Sequence, residues 1–129
     1  MSKHVVTVAL GFLTAVGAFV AGGVMITFML DTYFYSVDDL PGLRAVSAVV
    51  NSWCAGFFGG HVCRRRAGSA RPAVALAALL LAASALAFAV DWEGQGVAGW
   101  AAYGVGASAA VGSLMGGEMR PRHPPRIRD

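Results

Sequence analysis

The stretch AVVNSWCAGFFGGHVCRRRAG, residues 48–68, decides the fold class, because a mainly apolar run ends directly in three consecutive arginines. The uncharged run that contains it covers residues 45–63. Runs of this length are typical of helices that cross a membrane. A basic cluster at the end of such a helix is typical of its cytoplasmic end. The stretch therefore predicts a membrane helix rather than a chemical site.

Composition extends this interpretation to the whole chain. Its 129 residues are 57% hydrophobic and 13% charged, with a mean hydropathy of +0.61. Soluble domains carry about a quarter charged residues, so the charges here cannot cover a water-soluble globule of this size. The length allows a single domain.

Uncharged runs recur along the chain and predict four membrane helices, over about residues 5–30, 45–63, 72–90 and 97–117. They predict an all-α integral membrane bundle over residues 1–117 and a basic Pro/Arg-rich cytoplasmic tail over 118–129. A cleaved signal peptide is the alternative for the first run. Its apolar core would span about 7–15 residues, whereas this run continues to Leu30, which favours a retained helix.

The basic residues predict the orientation of the bundle. Nine of the ten fall on one side of the four predicted helices, with Arg64, Arg65, Arg66 and Arg71 in one turn, and only Arg44 falls on the other. This bias predicts that both termini are cytoplasmic. The turn could also bind anionic lipid headgroups. Since topology explains the net charge of +3, we expect the lipid bilayer, and not nucleic acid, as partner.

Small residues recur at every fourth position in the second and fourth predicted helices, and three or four positions apart in the first. Positions four apart share one helix face, and in lipid such faces mark close helix contacts. They predict tight packing of the second and fourth helices against each other, the first helix or a second subunit. An offset of 56 residues relates two of these stripes and indicates two repeated hairpins. The stripes are Gly11, Ala15, Ala18 and Gly22; Ala48, Ser52, Gly56 and Gly60; and Gly104, Ser108, Gly112 and Gly116.

Two polar residues in the second helix are candidates for a site. Asn51 is expected either to donate an interhelical hydrogen bond or to line a polar pathway. His61 is expected to be solvated near the basic end, or to be an axial ligand of haem or a pigment. No second span offers a matching histidine, so we expect no cofactor.

Catalytic and metal sites have no support in the sequence. The serines have no accompanying base, and no carboxylate lies at the middle of a predicted span. Histidines, cysteines and acids do not cluster. We therefore expect a protein that is not an enzyme and holds no metal.

The segment GFFGGHVCRRRAG, followed by an Ala/Leu-rich helix and GSLMGGEMRPR, resembles small bacterial four-helix inner-membrane proteins of unknown function. The resemblance implies the fold class and the location, and no activity. Asn51 followed by Gly56 is also similar to small fluoride channels. However, the Thr/Ser-rich break of their third span has no counterpart in PAVALAALLLAASALAFAV.

Three functions follow as hypotheses. The first is a non-enzymatic multi-pass membrane protein acting through helix–helix association, as a small complex subunit or homo-oligomer. It predicts a dry interface of small residues. The second is a small oligomeric transporter or channel, which predicts a cavity reaching Asn51. The third is a haem- or pigment-binding subunit that uses His61.

Overall fold

A computed structural model describes residues 3–33, 41–90 and 99–119 of the chain. These ranges form four helices and contain no strand: α1 (Lys3–Tyr33), α2 (Pro41–Ala67), α3 (Arg71–Val90) and α4 (Gly99–Glu118). The all-α prediction is therefore confirmed for this part of the chain. Residues 97–98 of the predicted fourth span, and the tail from residue 120 onward, lie outside the described residues.

The first two helices extend beyond the predicted spans on the side away from the arginine cluster. α1 continues to Tyr33, and α2 begins at Pro41 rather than near Ala45. Proline suits the first turn of a helix, because the amide hydrogen it lacks would have no partner there. The helix therefore begins four residues before the predicted span, which starts at about residue 45.

The turn between α2 and α3 is closed by Gly68. Its backbone has φ +67° and its amide donates to the carbonyl of Arg64 at 2.9 Å. A left-handed glycine directly after a helix is a common way to satisfy the last carbonyl groups. The three arginines of the quoted stretch occupy the last turn of α2, so their charges lie where the helix dipole favours cations.

The helices alternate in direction, and α2 lies at the centre of the bundle. It runs antiparallel to α1 and parallel to α4, with which it makes its most extensive contacts. α3 packs antiparallel to α4 and also contacts α1 and α2. The buried cluster of Cys63, Ala73 and Leu76 marks where α1, α2 and α3 meet.

Side-chain size is distributed in the opposite sense to that of a water-soluble domain. The buried positions are mostly alanine, glycine and serine, and Leu76 is the largest side chain that is fully buried. Large apolar side chains point outward on every helix, among them Leu13, Val20, Val24, Phe28, Val50, Phe58, Leu81, Leu86 and Val111. Small residues allow the helices to approach closely, and the large ones form the outer surface.

One helix in the described ranges, over Lys3–Thr32, is long and apolar enough to cross a membrane. Only 17% of its most apolar window is buried inside the protein. A signal sequence near an N-terminus passes the same test of length and apolar composition. The helix over Arg71–Leu86 is apolar but shorter.

Candidate functional site

The α2–α4 interface brings two backbones into direct contact through four glycines. Gly56 and Gly60 of α2 lie against the carbonyl groups of Ala109 and Ser113. Gly112 and Gly116 of α4 lie in turn against the carbonyl groups of Trp53 and Phe57. A Cβ atom on any of these glycines would overlap a backbone atom of the other helix, which cannot move aside like a flexible side chain. The predicted small-residue stripes therefore meet each other within one chain.

These contacts repeat with an offset of 56 residues, the separation of the bonded pair Ser52 and Ser108. Residue 112 follows residue 56 by 56 positions, and residue 109 follows residue 53 by the same number. The contact of Gly56 with Ala109 is therefore equivalent to the contact of Gly112 with Trp53. The interface thus has an approximate two-fold axis parallel to the helices. The equivalence does not extend to helix length, because α1 has 31 residues and α3 has 20.

Two serine hydroxyl groups form the α2–α4 contact at the end of the interface nearer Asn51. The Ser52 and Ser108 hydroxyl oxygens lie 2.5 Å apart, and both are within hydrogen-bond distance of the Val49 carbonyl. One consistent arrangement has Ser52 donating to Val49 and accepting from Ser108. Gly104 packs one turn away against the Val49 side chain. Hydrogen-bonding needs are therefore met without water in this contact.

The backbones of α1 and α2 come into direct contact near the basic end of α2. Gly11 lies against Gly59 and Cys63, and Ala15 is buried beside Gly59. The Cys63 thiol donates to the Thr7 carbonyl at 3.6 Å. The predicted small-residue stripe of α1 therefore contacts α2 at this end, although Gly59, which lies outside the predicted stripe of α2, supplies much of the surface.

Asn51 joins α1 to α2 at the other end of this contact. Its side chain is 8% exposed, and its Nδ2 donates to the Phe19 carbonyl at 2.8 Å. The amide lies directly against Gly22, where any side chain would displace it. No described residue donates a hydrogen bond to its Oδ1. The amide therefore bridges the two helices and retains hydrogen-bonding capacity.

A cavity of about 270 Å³ separates α1 and α2 beyond Asn51. Its inner end is lined by Phe19 and Asn51, and its outer end by Asp31 and Arg44. The remaining lining is both apolar and polar: Gly23, Ile26, Thr27, Leu30, Ser47 and Ala48. We refer to it as the α1–α2 cavity.

The hydroxyl groups that line this cavity have no hydrogen-bond partner in the described part of the chain. Thr7, Thr14 and Thr32 each donate to the carbonyl four residues earlier in α1. Thr27 makes no such bond, and neither Thr27 nor Ser47 is hydrogen-bonded to any residue that the structure describes. Asn51 was identified from the sequence, whereas Thr27 and Ser47 were not. Their four-residue spacings to Asp31 and Asn51 on the same helix faces were the available signal.

A second cavity, of about 220 Å³, lies among the four helices and is almost entirely apolar. Phe12, Leu80 and Val105 line it, and Ser52 and Ser84 are the polar side chains among its described lining residues. Phe19 borders both cavities.

His61 and the arginines lie at the opposite end of α2. His61 is half-buried, and its Nδ1 and the Nε of Arg64 have no hydrogen-bond partner among the described residues. Arg65, Arg66 and Arg71 are exposed. His61 has no second histidine beside it in the described helices, where the only other one, His4, is in the first turn of α1. The described residues also contain no group of three metal-ligating side chains.

Comparison with family models, curated proteins and solved structures finds no match to this chain. The resemblance to small bacterial inner-membrane proteins therefore stays a prediction.

Proposed function

We propose that this is a non-enzymatic multi-pass membrane protein that acts through helix–helix association. The observation that supports it best is the inverted distribution of side-chain size. An exterior of Val, Leu, Phe and Met around an interior of Ala, Gly and Ser is costly in water. The same arrangement is favourable in lipid, where close backbone packing holds helices together.

The charged residues support an orientation in this proposal. The end of α2, the start of α3 and the start of α1 carry Arg64–Arg66, Arg71 and Lys3, while the opposite end carries Asp31 and Arg44. By the positive-inside rule we assign the arginine end to the cytoplasmic side. The bacterial inner membrane is the location that the resemblance implies. The exposed arginines would contact anionic headgroups there.

A homo-oligomer is the form of association that the exposed surface favours. The stripes of α2 and α4 are already used within the chain, so a second copy must use another face. α3 offers one, with exposed alanines that alternate three and four residues apart: Ala75, Ala78, Ala82, Ala85 and Ala89. This spacing keeps small residues on one seam, along which two helices can approach closely.

The first test is membrane extraction followed by mass measurement. We expect the protein to stay in the membrane pellet after an alkaline wash and to need detergent for release. In detergent, light scattering should give a protein mass that corresponds to two or more copies of the 13.3 kDa chain. Ala82→Leu should reduce the oligomer to a monomer, and the matched variant Ala21→Leu, at an exposed alanine of α1, should leave it intact. Release by the alkaline wash would overturn the membrane proposal, and a monomeric wild type would overturn self-association alone.

A small oligomeric transporter or channel is the second candidate, and the cavity that reaches Asn51 favours it. Cysteine labelling with a charged, membrane-impermeant maleimide tests whether this cavity holds water. In a background with Cys54 and Cys63 replaced by alanine, Ser47→Cys should be labelled quickly. Ser52→Cys, in the closed α2–α4 contact, should be labelled slowly. Equal rates at the two positions would remove the support for a pathway.

A further inference from the structure

We infer that His61 and Arg64 together bind a phosphate group at the basic end of α2. The inference deepens the proposed contact of the arginines with anionic headgroups, and it rests on the proposed membrane function for a lipid as the source of the phosphate. It assigns binding to two half-buried side chains rather than to the exposed arginines around them.

Two nitrogen atoms without a hydrogen-bond partner are the first argument. The Nδ1 of His61 and the Nε of Arg64 are both buried, and neither has a partner in the part of the chain that the structure describes. A polar atom that has lost water and gained no partner is costly, and a bound ion is one way to satisfy it. Positions 61 and 64 are three residues apart, so they share one face of α2. The Nε of Arg64 is a permanent N–H donor, which suits an anionic oxygen.

The charge balance at this end of the bundle is the second argument. Glu118 is the only acid here among the described residues, and it is exposed and forms no ion pair. The described chain therefore supplies no counter-ion to Arg64, whose positive charge is available to an external anion. Basic side chains of three helices add to the attraction: Lys3, Arg64, Arg65, Arg66 and Arg71.

The level of the pair along α2 favours phosphate as the anion. His61 directly follows Gly60, the last α2 glycine in the contact with α4, and Arg64 begins the basic last turn. In the proposed orientation this level is the boundary between the apolar helix and water, where lipid phosphates lie. A planar guanidinium matches the geometry of phosphate oxygens, and the imidazole offers a second contact. Two sources share this chemistry: the headgroup of an anionic lipid and free inorganic phosphate.

Titration with a short-chain phosphatidylglycerol, followed by native mass spectrometry, tests the lipid source. The full chain in neutral detergent would be compared with His61→Gln, Arg64→Gln and the matched control Arg65→Gln. We expect His61→Gln and Arg64→Gln to weaken binding by about tenfold or more, as expected for loss of a hydrogen bond to a charged group. Arg65→Gln removes the same charge from the next residue, which is exposed, so its loss should stay below about fivefold.

A fourth variant separates charge from geometry. Arg64→Lys keeps the positive charge but lacks the Nε–H donor and the planar fork. We expect it to bind phosphatidylglycerol more weakly than Arg65→Gln does, although Arg65→Gln has the lower net charge. Melting curves of all the proteins show whether a loss comes from unfolding, and Arg64→Lys carries the test if Arg64→Gln does not fold.

Calorimetric titration with inorganic phosphate tests the second source. Phosphate binding with the same order of variants, without binding of the lipid, would assign the site to the free ion. Binding of neither probe would overturn the proposal. Equal losses in Arg64→Gln and Arg65→Gln would also overturn it, because net charge alone would then explain the attraction. A chain that proved soluble without detergent would overturn the membrane function instead, and the phosphate titration would still test the site in buffer.

Discussion

α2 makes two contacts of opposite character on two of its faces. The backbones of α2 and α4 are in direct contact, because glycines on both helices allow carbonyl groups to touch the facing backbone. The backbones of α2 and α1 are in contact near Gly59, but the two helices are separated by a cavity beyond Asn51. The difference follows from side-chain volume. α4 presents a small residue at every fourth position, whereas the outer half of α1 presents Ile26 and Leu30.

The comparison shows that a small-residue stripe needs a matching stripe to make a closed contact. The α2 stripe begins at Ala48, yet Ala48 lines the cavity, whose α1 wall includes the larger side chains of Ile26 and Leu30. A stripe of small residues on one helix therefore predicts where close approach is allowed. Whether the helices do approach there depends on the size of the facing side chains on the partner helix.

Substitution of one glycine in the closed contact should have the largest effect. Gly56→Ala places a methyl group against the Ala109 carbonyl, so the helices must separate, and we expect a loss of about 2–3 kcal/mol in the free energy of unfolding. Gly17→Ala is the matched control, since nothing lies within 4 Å of a Cβ at that position. Unfolding in mixed micelles measures the free energy of unfolding of both variants. Equal stability of the two variants would show that this interface is not closed.

The approximate two-fold axis makes a second prediction. Gly112→Ala should destabilise the protein by about as much as Gly56→Ala, because each methyl group meets an equivalent carbonyl group. The double variant should lose less than the sum, since helices separated by one methyl group already have room for the other. Full additivity would mean that the two contacts are independent and would contradict a shared interface.

Asn51 should have a smaller effect. Asn51→Ala removes the hydrogen bond to the Phe19 carbonyl across the edge of the cavity, and we expect a loss of about 1 kcal/mol. Ser47→Ala, on the cavity wall without a partner in the described chain, is the control and should be nearly neutral. The same micelle unfolding assay applies. A neutral Asn51→Ala would indicate that water replaces the hydrogen bond.

The hydroxyl pair in the closed contact should contribute least. A double-mutant cycle with Ser52→Ala and Ser108→Ala should give a coupling of about 0.6 kcal/mol, the average for polar pairs between membrane helices. The coupling should vanish in the Gly56→Ala background, where the helices no longer approach. A coupling that persisted in the Gly56→Ala background would show that the serine contact forms independently of the glycine contact.

The sequence predicted the four helices and the residues of the closed contact, because uncharged runs and four-residue spacings depend on local order alone. It could not choose among the partners of the α2 stripe, since α4, α1 and a second subunit were equally compatible. Asn51 was identified because an amide in an apolar run is conspicuous. Thr27 and Ser47 were not, because their role depends on two helices diverging, which involves residues distant in the sequence.

The parallel contact of α2 with α4 has a consequence for biosynthesis. A ribosome completes α2 well before α4, so the groove formed by Gly56 and Gly60 stays uncovered while α3 and the segment after it are made. During this interval the groove is accessible to an insertion factor or a protease that recognises exposed backbone. Chains truncated after α3 would keep it open permanently, and we expect them to be degraded faster than the complete protein. The synthesis of α4 would thus determine how long each new chain survives.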